Sequence, residues 1–102
     1  MIKINDVEAK FVFNIDVVDL ETAKLLKNLG FNKPTYWYWL DKDMSFVEKG
    51  LKRIKSRRLN HNRFYSFVYS APNKEQVILF AKQLIKQNNY SKSIVNKVII
   101  DM

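Results

Sequence analysis

Cysteine is absent from the 102 residues, and histidine occurs once, as His61. The first absence excludes disulfides, thiolate nucleophiles, iron–sulfur clusters and cysteine-ligated zinc, and the second leaves almost no room for a histidine-built metal site. Glycine and proline number two each, which excludes flexible linkers, collagen-like repeats and low-complexity arrays. No apolar run approaches the roughly 20 residues of a membrane-spanning helix, so no membrane partner is expected. The opening residues lack the charged and apolar blocks of a secretory signal, and the expected setting is cytoplasmic. There is no phosphate-cradling glycine loop and no nucleophile partnered with the lone histidine. The chain therefore reads as a non-enzyme, with no cofactor and no metal site.

What is present suits one packed domain over residues 1–102. Hydrophobic residues make up 47% of the chain and aromatics 14%, enough to fill a single core. The net charge is +8 and unevenly spread. Residues 1–21 hold Asp6, Glu8, Asp16, Asp19 and Glu21 against Lys3 and Lys10. Residues 49–63 hold Lys49, Lys52, Arg53, Lys55, Arg57, Arg58 and Arg63 and no acid.

Residues 9–18, AKFVFNIDVV, alternate at period two and predict a strand with Phe11, Phe13 and Ile15 turned inward. Asp19 is a helix N-cap with Glu21 in the first turn, and residues 20–29 carry an apolar stripe through Ala23, Leu26 and Leu29. Gly30 stands where a left-handed residue ends a helix, with Phe31 placed to fold back on Leu26. Pro34 blocks continuation, and residues 35–40, TYWYWL, predict an aromatic strand followed by the polar turn Asp41-Lys42-Asp43. Residues 45–58 admit two readings. Ser45 and Glu48 have capping-box spacing before Val47, Leu51 and Ile54, which favours a short basic helix; Gly50 argues instead for a long hairpin loop. Asn60-His61-Asn62 is turn-like, residues 63–69 read as a strand, and residues 74–87 form an amphipathic helix capped by Asn73 and Gln76. Residues 94–100 predict a last strand, and Met1 to Asn5 a short edge strand. The expected fold is α+β and ferredoxin-like, β-α-β-β-α-β: one antiparallel sheet with two helices, 20–29 and 74–87, on one face.

Two resemblances follow from these segments. VDLETAKLLKNLGFNKPTYWYW (residues 18–39) and the later YSAPNKEQVILFAKQL resemble short uncharacterised bacteriophage and prophage proteins, which run helix, "LK-x-LGF", a Pro-containing turn, an aromatic strand and an "SAPT" helix. That likeness implies a phage origin and a place in the host cytoplasm or the virion; it implies no activity. RNA-recognition-motif domains are the second resemblance. Their strand-three signature is matched at Arg63, Tyr65, Phe67 and Val68, with departures at Phe64 and Ser70; Phe11-Val12-Phe13-Asn14-Ile15 is similar to their strand one. In such domains the aromatics at the positions of Phe11, Tyr65 and Phe67 stack bases.

The basic run is the main functional signal. A solvated lysine-rich surface would carry lysines alike, as Lys82, Lys86, Lys92 and Lys97 do, but all four arginines fall between Arg53 and Arg63. Arginine grips phosphate bidentately, which lysine does not. The expectation is a small basic phage-type accessory protein that binds DNA or RNA non-specifically or by shape through Lys49, Lys52, Arg53, Lys55, Arg57, Arg58 and Arg63. The alternative is a protein-binding module. Strand 36–39 spends Trp37 and Trp39 side by side with Tyr36 and Tyr38, and a face of that strand not covered by the core would dock on a host protein, a virion component or a second copy of the chain.

Overall fold

Helix α1, Leu20–Asn28, begins and ends where its sequence places it. The Asp19 carboxylate accepts the Thr22 backbone N–H at 2.9 Å, satisfying one of the unpaired donors of the first turn. At the other end Gly30 N–H donates to the Lys27 carbonyl at 3.0 Å and Phe31 N–H to the Leu26 carbonyl at 2.9 Å. These are the two bonds of a Schellman cap, and Gly30 takes the left-handed conformation they need, with φ +90°. A Cβ there would meet nothing within 4 Å. Gly30→Ala is therefore expected to cost only backbone strain, about 1 kcal/mol, read as a lower urea midpoint at unchanged denaturant slope.

The structure, a computed structural model, describes residues 1–88 and 98–100. Helix α2, Lys74–Asn88, starts with the expected reciprocal cap. Asn73 Oδ1 accepts the Gln76 N–H at 2.9 Å, and Gln76 Oε1 accepts the Asn73 N–H at 3.2 Å. Its buried stripe is Val77, Phe80, Ala81 and Leu84.

The described strands form two antiparallel sheets. In the first, β1 (Ile2–Ile4) lies between β2 (Val7–Glu8) and β6 (Val98–Ile100). Asn5 and Asp6, both at positive φ, make the tight β1–β2 turn. In the second, β3 (Trp37–Leu40) lies between β4 (Gly50–Arg53) and β5 (Val68–Ser70). Among the described residues the protein is thus α+β with two helices and two three-stranded antiparallel sheets, where the ferredoxin-like order led to the expectation of a single sheet. The opening residues also change role, from an edge strand to the middle of a sheet. The strand expected at 94–100 is seen at Val98–Ile100, and residues 94–97 lie outside the described residues.

Residues 9–18 are not a strand. Asn14 and Asp16 sit at φ +72° and +59°, a conformation that asparagine and aspartate tolerate. They fold the segment into a tight turn closed by Val12 N–H to the Val17 carbonyl at 2.7 Å. The turn ejects Phe13 to 87% exposure and leaves Ile15 exposed, whereas adjacent Val17 and Val18 are both buried. Alternation failed here because two turn formers stood inside an apolar pattern. Residues 45–58 are not a helix either. Met44 and Val47 pair across a two-residue turn, so the Ser45–Glu48 capping box does not form, and Gly50 opens β4 at φ +141°. The chain continues as the second arm of a hairpin against β3, with Leu40 opposite Gly50 and Trp37 opposite Arg53. A central aromatic strand gains more from a paired neighbour than a glycine-bearing, like-charged segment gains from helix.

The 63–69 strand shortens to β5. Residues 61–63 form a 3-10 turn whose start is capped by Asn60 Oδ1 accepting the Asn62 N–H. Beyond it, Lys27 Nζ donates to the carbonyls of Tyr65 and Val68 at 2.7 and 2.8 Å, occupying acceptors that a longer ladder would use. One core joins the layers: Ile2 and Ile4 from β1, Val17 and Val18, Ala23 and Leu26 from α1, Phe31, and the α2 stripe. Trp37, Trp39, Leu51 and Tyr69 pack against it from the second sheet. The other face of that sheet buries Leu40, Val68 and Ser70, with His61 stacked on Tyr38.

Candidate nucleic-acid interface

The 54–58 loop leaves and returns to the same place. Ile54 N–H donates to the Tyr36 carbonyl at 2.9 Å, and Leu59 exchanges two backbone bonds with Thr35 at 2.8 and 3.0 Å. Because both ends are pinned beside Tyr36, the residues flanking the loop meet over its ring. The Arg53 guanidinium lies 5.3 Å from the Tyr36 ring centroid and that of Arg58 5.9 Å from it. Arg53 also approaches Trp37, its cross-strand neighbour, at 5.9 Å. A guanidinium within about 6 Å of a ring centroid is attracted by the π-face, and its N–H groups remain donors for a phosphate. Tyr36 itself is 41% exposed. Lys55 and Arg57 are exposed in the loop between.

The other expected basic residues do not join this cluster. Lys52 stands beside Tyr38 across the strands, on the opposite face of β4 from Arg53. Lys49 precedes β4, where its backbone N–H donates to Asp43 Oδ1 at 2.9 Å, and it lines a separate hollow of about 250 Å³ with Trp39 and Asp41. Asp41 pairs with Lys24 at 3.1 Å, a hydrogen-bonded contact that holds the Lys24 ammonium above its ordinary pKa. Arg63 lies over Phe64, at 5.1 Å.

The expected aromatic platform is also rearranged. Tyr65 and Phe67 precede β5 and stack on each other at 5.2 Å, with Lys42 over Phe67. Phe11 is half-buried against the core and pairs with Val18 in an isolated bridge. The three rings therefore do not share a paired-strand surface. Lys27, clamped beneath the 65–68 turn and 4.8 Å from the Tyr69 ring, has its pKa pushed down by burial. Trp37 and Trp39 are half-buried against the core, and Trp39 Nε1 donates to the Val18 carbonyl at 2.9 Å.

Two adjoining cavities, absent from the sequence reading, lie beside the arginine cluster. One, of about 310 Å³, is lined by residues including Lys33, Pro34, Arg58, Leu79 and Gln83. The other, of about 90 Å³, includes Tyr36, Trp37 and Asn73, and both share Arg58 and Gln76. The one available sequence signal was Leu79, an apolar residue beside the buried stripe of α2. Lys33, a lone lysine before a proline, gave none. Among the described residues, no helix is long and apolar enough to cross a membrane. No family model matches the sequence, and neither a curated protein nor a solved structure is significantly similar to it.

Proposed function

We propose that the protein binds nucleic acid, as a small basic accessory protein of the phage type that its helix, turn and strand segments resemble. The observation that carries this reading is the convergence of Arg53 and Arg58 on an exposed Tyr36, next to a loop presenting Lys55 and Arg57. Two oriented guanidiniums and two further cations suit a polyanionic backbone, and an exposed ring suits a base face. The role is binding rather than catalysis, and backbone contacts of this kind read charge and shape rather than sequence.

The test replaces Arg53, Arg57 and Arg58 with alanine and titrates both proteins by fluorescence anisotropy against DNA and RNA across a salt series. The wild-type affinity should fall steeply with salt, and the triple variant should bind more weakly with a slope shallower by about one unit per lost phosphate contact. Its melting temperature should barely move, since exposed charges contribute little to folding. Absence of wild-type binding at low salt, or identical titrations, would sink the reading.

A second reading, docking on a protein, is favoured by a different feature from the one first expected. The tryptophans of strand 36–39 turn to the core. Apolar exposure sits instead at the β3–β4 tip, where Phe46 is 99% exposed between Met44 at 51% and Val47 at 42%. A complex made through that tip would be insensitive to salt, opposite to the first reading. Self-association through it would show in sedimentation velocity and disappear in Phe46→Ser.

A further inference from the structure

The larger cavity is a built groove rather than a crease between side chains. Its floor is one stripe of α2, Gln76, Leu79, Phe80 and Gln83, spaced i, i+3, i+4 and i+7. Its opposite wall, Lys33 and Pro34, is fastened to that floor by Gln76 Nε2, which donates to the Pro34 carbonyl at 2.9 Å. The Arg58 wall is fastened in turn by the Thr35–Leu59 backbone pair. Its volume, about 310 Å³, stands at the low end of the roughly 300–1,000 Å³ of small-molecule sites. The chemistry of the lining is divided. Lys33 and Arg58 supply two cations, and among the described residues no carboxylate lines this groove or its smaller neighbour. Leu79, 60% exposed, and Phe80 supply apolar surface, and Gln83 supplies an amide able to donate and accept at once.

An occupant that complements this lining is anionic at one end, flat and apolar in its body, and polar at its edge. We infer that the groove receives one unpaired nucleotide of a single strand, its phosphate between Lys33 and Arg58 and its base against Leu79 and Phe80. The inference rests on the nucleic-acid reading and adds a preference to it. Arg58 belongs to both the groove and the Tyr36 cluster, so a strand tracked by Arg53 and Arg58 passes the groove mouth. A duplex keeps its bases stacked and paired and cannot place one there without losing both.

The test is an anisotropy titration at fixed low salt with three fluorescein-labelled DNA probes: a mixed-sequence single strand, its duplex, and the same strand made abasic throughout. Wild type should prefer the single strand to the duplex by about tenfold or more, the scale of one stacked base, and the abasic strand should lose that preference. Leu79→Glu, which puts a carboxylate in the groove at an exposed position, should lose more affinity for the single strand than for the duplex, so that the roughly tenfold preference disappears. Gln83→Glu, also exposed, gives an independent carboxylate should the first variant fold poorly. Arg57→Ala, outside the groove, should weaken both probes alike. Equal wild-type affinity for strand and duplex, a full-strength abasic strand, or groove variants that keep the preference would overturn the inference while leaving the nucleic-acid reading intact. Failure of wild type to bind any probe would remove both.

Discussion

Phe31→Ala is expected to lose about 3–5 kcal/mol of stability, the cost of deleting a buried aromatic ring and leaving its cavity. Phe31 is 2% exposed and meets Phe80 of α2 edge-to-face at 5.3 Å and 85°. Its N–H closes the cap of α1, and its carbonyl accepts from Asn62 Nδ2 at 2.9 Å. One residue thus joins α1, α2 and the 3-10 turn that leads into β5. The backbone bonds survive truncation, so the loss falls on the ring. Small domains have only about 5–15 kcal/mol in total, and the variant should be substantially unfolded at 37 °C. Phe31→Leu, which keeps most of the volume, should cost under about 1.5 kcal/mol. Urea denaturation followed by circular dichroism distinguishes the two, and equal midpoints for both variants would show that this junction does not hold the layers together.

What the sequence made legible was mostly helical. Asp19, Gly30, Asn73 and Gln76 are local signals: each acts on backbone groups within a few residues, and each cap formed as read. The strands depended on distant partners. TYWYWL became β3 because β4 and β5 flank it, and AKFVFNIDVV, with the same alternation, became a turn because Asn14 and Asp16 accept positive φ. The basic run was read correctly as charge and wrongly as helix. Its residues alternate faces on a strand and then enter a loop, so seven cations adjacent in sequence divide among several surfaces. The pairing of Arg53 with Arg58 came from where the loop ends are pinned, and Thr35, Tyr36 and Leu59 carry no sequence mark of those bonds. The groove was hidden for the same reason: its walls come from residues 33–34, 58 and 76–83, which only tertiary hydrogen bonds bring together.

His61, read as a turn residue, is the clearest case of a polar group whose role the sequence concealed, and it should make stability depend on pH. It is 2% exposed, its ring stacks on Tyr38 at 4.5 Å and 25°, and its backbone N–H donates to Ser70 Oγ at 3.0 Å. Nε2 lies 2.9 Å from the Thr35 carbonyl, and since a carbonyl can only accept, that nitrogen carries the proton. Burial pushes the pKa below its ordinary 6.5, and the Thr35 carbonyl opposes the shift only partly. The folded state thus takes up the second proton less readily than the unfolded chain. Stability is full above the unfolded value, falls as pH drops below about 6.5, and levels off once pH passes beneath the folded value. Carboxylates titrate mainly below about pH 5, and this is the chain's one histidine, so a melting-temperature series from pH 8 to pH 5 isolates it. Wild type should lose stability across the lower half of that range, and His61→Gln should show little such slope. His61→Ala should cost about 2–3 kcal/mol even at pH 8, because it empties the space against Tyr38 and removes one of the two donors to the Thr35 carbonyl, leaving only the Leu59 N–H. A wild-type melting temperature that stays flat down to pH 5, or one that falls equally in His61→Gln, would show that the imidazole is not held neutral by the fold.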